Sequence, residues 1–280
     1  SVVSGAERFA VAGVAGLGFQ SLGARSPRLP PALAVISGWI TAALAVVALL
    51  YASVGHAGAS GYIAVLALAG LPAEQIKPLA LLLNLVVASV GCWNFLRAGH
   101  LPWRRIWPVY VLAIPAACLG GWLNLPAFWF RRLVGLVLLM SACRLWQRPQ
   151  DPPALREPSP VLLLLAGGGL GLMAGLTGTG GGVFLTPLLL FCRWCTTRQA
   201  AAVSVLFILL NSLAGLVGQA WSGVPLRSVL APADLVLWLI VVLLAGGIGS
   251  RLGSRHWPVA WIRRALGVVL LLASWKLLGF

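Results

Sequence analysis

Two stretches of the chain run well beyond one membrane crossing without a formal charge. Between Arg28 and Glu74 lie 45 uncharged residues, and between Glu157 and Arg193 another 35, against the roughly 20 that span a bilayer once. A straight helix through the longer run would reach about 68 Å, about twice the hydrocarbon thickness, so both runs must bend. The alternation of apolar and polar stretches predicts ten segments, at 32–53, 62–72, 78–96, 107–124, 133–147, 160–176, 182–192, 200–220, 234–250 and 264–279. Turn and charge signals separate them: Gly70-Leu71-Pro72, the arginines from Arg97 to Arg105, Arg131-Arg132, Arg193 to Arg198 and Arg251 to Arg264. Residues 1–31 are broken by Glu7, Arg8 and several glycines and read as an amphipathic or loosely ordered lead-in. The proline-rich stretch 148–159 reads as a polar linker between a first membrane unit, 32–147, and a second, 160–280.

Composition places this pattern in a membrane. The chain is 60% hydrophobic and only 9% charged, with a mean hydropathy of +0.97, whereas a soluble domain carries about 25% charged residues. Twenty Lys and Arg stand against five Asp and Glu, giving a net charge of +15. Almost all of the basic residues fall between apolar runs, which fits headgroup contact and positive-inside topology; the same field would draw an anionic cargo. Nucleic acid is excluded as a partner because no soluble basic domain exists to hold it. Membrane lipid is the expected surrounding, and the cytoplasmic (inner) membrane the expected location.

The halves repeat. Gly55-His56-Ala57-Gly58-Ala59-Ser60-Gly61 aligns with Gly175-Leu176-Thr177-Gly178-Thr179-Gly180-Gly181. Asn84, followed by Gly91, aligns with Asn211, followed by Gly218. Pro126, Trp129, Arg131 and Arg132 align with Pro258, Trp261, Arg263 and Arg264. These blocks occur in one order in both halves. Five segments per half would put the halves in the membrane with opposite orientation; four plus a re-entrant hairpin would leave them parallel. With five per half, 12 Lys and Arg fall on one side and 8 on the other, so the positive-inside bias favours inverted repeats with both termini outside. The expected fold is an all-α polytopic bundle in two related halves, with glycine-broken or re-entrant helices.

The long uncharged runs can bend at their glycine clusters, 55–61 and 175–182. Glycine adopts backbone conformations that other residues resist, and successive N–H groups freed from a helical ladder form an anion-binding concavity. Freed backbone is tolerated at membrane depth only when buried in protein or lining a cavity. Matching interruptions in two halves are the pattern of a secondary-transporter binding site. Close helix packing would also use glycine, but His56, Ser60, Thr177 and Thr179 add hydrogen-bonding groups that packing does not require. The candidate substrate-binding set is therefore His56, Gly58, Ser60, Gly61, Asn84, Thr177, Gly178, Thr179, Gly180, Gly181, Asn211 and Arg198. Asn84 and Asn211 sit within apolar helices, where each amide needs a partner, from a neighbouring helix or from cargo; Ser204 and Ser212 flank Asn211. Arg198 and Lys77 precede the Asn-bearing helices and could pair with an anion or snorkel to the interface. His56 is the titratable group of the glycine-bearing runs, so in proton-linked transport either it or the anion must carry the proton.

With these motifs in view, the chain resembles the sulfite exporter family named after TauE and SafE. The resemblance rests on Gly178-Thr-Gly-Gly-Gly182 followed by Val-Phe-Leu-Thr-Pro187, on the Asn-Ser-Leu-Ala-Gly helix at Asn211, and on Gly-His-Ala-Gly-Ala-Ser-Gly-Tyr in the first half. It covers about residues 35–280. It implies export of sulfite, thiosulfate or an organosulfonate from the cytoplasm outward; the paired halves add alternating access as the expected mechanism, and no cofactor, bound metal or catalytic residue is expected. Oligomeric state stays open, a homodimer included.

Two other classes are compatible with the residues. A thiol-dependent membrane enzyme would draw on Cys192, Cys195 and His56, although the C-x-x-C lacks both a second zinc-ligand pair and a thioredoxin-like surrounding. A structural or assembly subunit would pack both glycine clusters dry.

Overall fold

The computed structural model describes residues 31–71, 73–123, 151, 154–223 and 234–278, with 139 and 143 as isolated positions. The lead-in up to residue 30, most of the segment expected at 133–147 and the block from Pro126 to Arg132 lie outside the described residues. Every regular element that is described is helical: α1 (Pro31–Ser53), α2 (Ala59–Leu68), α3 (Ala73–Arg97), the short α4 (Trp103–Ile106) and α5 (Pro108–Trp122) in the first part. The second part holds α6 (Pro160–Thr177), α7 (Gly182–Phe191), α8 (Thr197–Trp221), α9 (Leu235–Arg251), a π-helical turn (Leu252–His256) and α10 (Val259–Leu278). Among the described residues four helical stretches are long and apolar enough to span a membrane: Gln75–Arg97, Pro160–Thr177, Thr197–Trp221 and Leu235–His256. Their outer faces carry exposed aliphatic side chains, such as Val161, Leu162 and Leu165 on α6 and Ile240, Leu244 and Ile248 on α9, which lipid would cover favourably. Trp39, Trp103, Trp107, Trp122, Trp221, Trp261 and Trp275 are exposed as well, several at helix ends where an interfacial belt lies.

The repeat seen in the sequence reappears as a succession of elements. A long helix ends at a glycine break, a ten-residue helix follows, then a 25-residue helix: α1, α2, α3 in one half and α6, α7, α8 in the other. At 1.5 Å per residue the ten-residue helices rise only about 15 Å, half a hydrocarbon core. The short segments expected at 62–72 and 182–192 are these half-helices, the first beginning three residues earlier than expected.

Packing between the halves sets their orientation. On α6, Gly167, Gly171 and Gly175 lie against the backbone carbonyls of Val109, Ala113 and Ala117 on α5. The constant offset shows that these two helices run parallel. Likewise Gly249 and Gly253 lie against the carbonyls of Leu49 and Ser53, so α9 and the turn after it run parallel to α1. Small residues every fourth position permit this backbone approach, which in lipid replaces the missing hydrophobic drive between helices. Gly91 of α3 meets Val205 of α8 while Gly215 of α8 meets Leu81 of α3, a crossing in which the two run antiparallel. Equivalent helices of the two halves, α3 and α8, therefore point in opposite directions. Each half lends its first helix to the third long helix of the other, α1 to α9 and α6 to α5. This is the inverted arrangement, favoured over the parallel one.

One end of the bundle collects the basic residues. Arg97 closes α3, Arg104 and Arg105 lie in α4, and Arg156, Arg193, Arg198, Arg251 and Arg255 come from the adjoining loops and helix ends. Hydrogen bonds tie this end together: Arg105 Nη2 donates to the Arg156 carbonyl and pairs with Glu157 at 2.9 Å, Arg156 N–H donates to the Arg193 carbonyl, and the His100 ring bonds the Ser254 carbonyl. Asp151 accepts from both the backbone N–H and the hydroxyl of Thr197, fixing the linker to the start of α8.

Candidate functional site

Both expected breaks exist, and each is built on glycines in left-handed conformation. The first, residues 54–58, turns at Gly55 (φ 80°) and Gly58 (φ 102°); the second, residues 178–181, turns at Gly178, Gly180 and Gly181 (φ 71°, 72° and 78°). An L-residue in that region costs about 1–2 kcal/mol, which is why the chain leaves the helix at these points. Gly58 caps α2 and Gly181 caps α7, neither with a side-chain hydrogen bond. The first backbone bonds of the half-helices run from Tyr62 N–H to Gly58 and from Phe184 N–H to Gly181. First-turn amides have no intrahelical acceptor and carry the positive end of the helix dipole. Two such ends thus begin inside the protein. Gly61, expected among the anion-binding backbone, lies in the first turn of α2, where its missing side chain makes room for Val47.

The breaks meet at the crossing of α3 and α8. His56 is buried, and its Nε2 lies 3.0 Å from the Gly182 carbonyl and 3.0 Å from Thr186 Oγ1. A carbonyl only accepts, so Nε2 carries the proton and donates. Thr186 in turn donates to Ser204 Oγ at 2.6 Å. Asn84 Nδ2 donates to the Thr179 carbonyl at 3.3 Å. The first half therefore grips the second break at both ends, through Asn84 at residue 179 and His56 at residue 182. A Cβ placed on Gly180 would stand 2.9 Å from Asn84 Nδ2 and 3.0 Å from Ser212 Oγ, so these three groups converge.

Around this crossing several polar atoms are buried with no partner. They are Asn84 Oδ1, both amide atoms of Asn211, Ser212 Oγ and His56 Nδ1. Asn84, Asn211, Ser212 and His56 are at most 1% exposed. Leaving such groups unpaired costs about 1–3 kcal/mol each, and native proteins rarely retain them without a role.

The remaining expected residues are distributed differently. Thr177 donates to the Met173 carbonyl, and its hydroxyl lies 2.8 Å from that of Thr179, so these two are tied locally at the end of α6. Ser60 donates to the Tyr51 hydroxyl at 3.1 Å. Arg198 is not brought to the breaks: its Nη2 donates at 3.1 Å to the Trp257 carbonyl, clamping α8 to the π-helical turn. Thr186 and Lys77 fall outside the set expected from the sequence. Thr186 belongs to the same glycine-led motif, as the Thr before Pro187. Lys77 lies against Gly178 through its stem.

The thiol rival finds no support in the geometry. All described cysteines are free, and burial pushes the Cys195 thiol up to about 12 despite the nearby Arg105 charge. Such a thiol stays protonated and is a poor nucleophile near neutrality. Among the described residues no three His, Cys, Asp or Glu side chains cluster as metal ligands.

Opposed halves, each with a broken helix ending in the interior, define a multi-pass membrane transporter rather than an enzyme. Comparison with known proteins agrees: the family model "Sulfite exporter TauE/SafE" matches residues 39–277, and the chain belongs to that family. It is 40% identical over 240 residues, 83% of this chain and 94% of the relative, to "Probable membrane transporter protein y4hK" of Sinorhizobium fredii (strain NBRC 101917 / NGR234). No solved structure matches the chain.

Proposed function

We propose that this protein exports a small sulfur-containing anion, sulfite or a close relative such as thiosulfate or an organosulfonate, across the cytoplasmic membrane. The observation that carries the reading is the group of unpartnered buried polar atoms at the helix crossing: Asn84 Oδ1 and Ser212 Oγ, whose side chains meet Gly180 of the second break, and both amide atoms of Asn211, next to Ser212 on α8. An oxyanion between the N-termini of α2 and α7 would accept from backbone N–H groups at Gly58, Gly180 and Gly182 and from the Asn and Ser212 donors. Neutral donors in a water-poor site hold an anion well because no bulk dielectric screens them. The family description supplies the sulfite reading. The basic end faces the cytoplasm by the positive-inside rule, so cargo enters beside Arg198 and Arg105 and leaves past the start of α3. The units 32–147 and 160–280 act as the two moving bodies, and rocking one against the other exposes the crossing to each side in turn. The test is sulfite flux in proteoliposomes. Wild-type protein should show saturable flux that Gly180→Leu and Asn211→Leu abolish. Flux that survives both substitutions would place the cargo elsewhere.

A further inference from the structure

The proposed cargo site as described holds only neutral donors. Arg198, the cation expected there, is engaged by the Trp257 carbonyl. Lys77 stands differently. It lies in the second turn of α3, within the apolar span Gln75–Arg97. Lys77, Leu81 and Asn84 are spaced four and three residues apart and so share one helix face. Along that face Leu81 meets Gly215, Asn84 holds Thr179, and a Cβ on Gly178 would stand 2.7 Å from Lys77 Cγ. The side chain therefore packs on the first glycine of the second break, two helical turns from the Asn84 amide. Among the described side chains no carboxylate is seen against it: Glu157 pairs with Arg105, and Asp151 is engaged by Thr197. An ammonium near the start of an apolar span, with its stem on the second break, is a ready countercharge for a mobile anion.

The repeat sharpens the point. The offset of 127 residues that maps Asn84 onto Asn211 maps Lys77 onto Ser204. Ser204 is neutral, buried and hydrogen-bonded to Thr186, which bonds His56. Twofold related positions thus differ in charge, a cation on the side away from the basic end and a hydroxyl chain on the side toward it.

We infer that Lys77 is the fixed charge of the cargo site and sets which anion valence the transporter prefers. This rests on the anion-transport reading above. A fixed charge interacts with an anion in proportion to the anion's valence. Removing it should therefore weaken a dianion by the square of the factor by which it weakens a monoanion, a roughly threefold loss becoming roughly tenfold. A residue that merely shapes the site would scale both alike.

The experiment measures sulfite KM in proteoliposomes in alkaline buffer, where sulfite is a dianion, and the inhibition constant of methanesulfonate, a monoanion, in the same assay. Lys77→Met keeps the stem against Gly178 and removes the charge; Lys77→Arg keeps the charge. The expected result is a sulfite KM raised by about the square of the methanesulfonate factor in Lys77→Met, kcat changed far less, and most of the loss recovered in Lys77→Arg. Equal factors for the two anions, no change in either, or failure of Lys77→Arg to recover the dianion preference would overturn the inference. Should Lys77→Met not fold, Lys77→Gln is read by the same ratio. Asn211→Leu in the same assay tests the site itself: sulfite flux that survives it refutes the site reading whatever Lys77 does. A wild-type protein without saturable sulfite flux refutes both.

Discussion

Asn211→Leu separates a binding amide from a structural one. In the bundle the Asn211 side chain is 1% exposed, and neither its Nδ2 nor its Oδ1 has a partner. A buried amide without a hydrogen bond costs about 1–3 kcal/mol in protein mutational data. Leucine is close in size, and volume-conserving changes cost under about 1.5 kcal/mol. Without cargo the variant should therefore be as stable as wild type or more so, by up to about 3 kcal/mol. With cargo the order changes. A ligand at a hundred times its Kd stabilises the form that binds it by about 2.7 kcal/mol, and the variant should forfeit that gain. The assay is thermal unfolding of detergent-solubilised protein with and without sulfite. Expected are a wild-type midpoint that climbs with sulfite and a variant midpoint that starts at or above the wild-type value and stays flat. Asn84→Leu should gain less without cargo, because it also gives up the bond to Thr179. The reasoning is refuted if Asn211→Leu is destabilised without cargo yet responds to sulfite as wild type does, since the amide would then be an interhelical tie.

Gly180→Ala must place a Cβ at a φ of 72°, within 2.8 Å of Ile208 Cγ2 and 2.9 Å of Asn84 Nδ2; left-handed strain of about 1–2 kcal/mol and overpacking of about 1–3 kcal/mol should lower the unfolding midpoint and the sulfite flux together. A variant with wild-type midpoint and flux would mean that the break relaxes freely. Arg198→Ala loses a charged hydrogen bond to the Trp257 carbonyl, worth about 1.5–3 kcal/mol, so stability should fall while sulfite KM stays near the wild-type value; a large rise in KM at unchanged stability would return Arg198 to the cargo site. Burial raises the Cys195 pKa to about 12, which shrinks the thiolate at any lower pH. Iodoacetamide labelling of folded protein, followed by mass spectrometry, should leave Cys195 unmodified near neutrality and speed up about tenfold per pH unit below 12. Rapid labelling at neutral pH would contradict the burial argument.

Much of the fold was legible because its signals lie along the chain. Hydropathy located the spans, and the uncharged runs were too long for single helices, so the bends at residues 54–58 and 178–181 followed from length and glycine content. Boundaries were less legible: Ala59, Ser60 and Gly61 read as part of the break but form the first turn of α2, since small residues suit a helix start as well as a bend. The candidate site was legible in its motifs and not in its contacts. His56, Asn84, Gly180 and Asn211 were singled out, and they converge with Thr186, Ser204 and Ser212 around one helix crossing. Arg198 and Lys77 looked alike in the sequence, each a cation ahead of an Asn-bearing helix.

The sequence by itself determined that this is a membrane bundle of two related halves and where each half must leave its helical path, because bilayer thickness and glycine's backbone freedom act on local stretches of chain. The charge count already leaned toward opposed halves, but only the tertiary structure decided which helices pair across them, that the two breaks share one crossing, and that Arg198 is spent on a carbonyl while Lys77 lies on Gly178. Those outcomes depend on contacts between residues some sixty to two hundred positions apart. Which backbone can approach which is settled by three-dimensional packing of small residues, and no one-dimensional pattern encodes it.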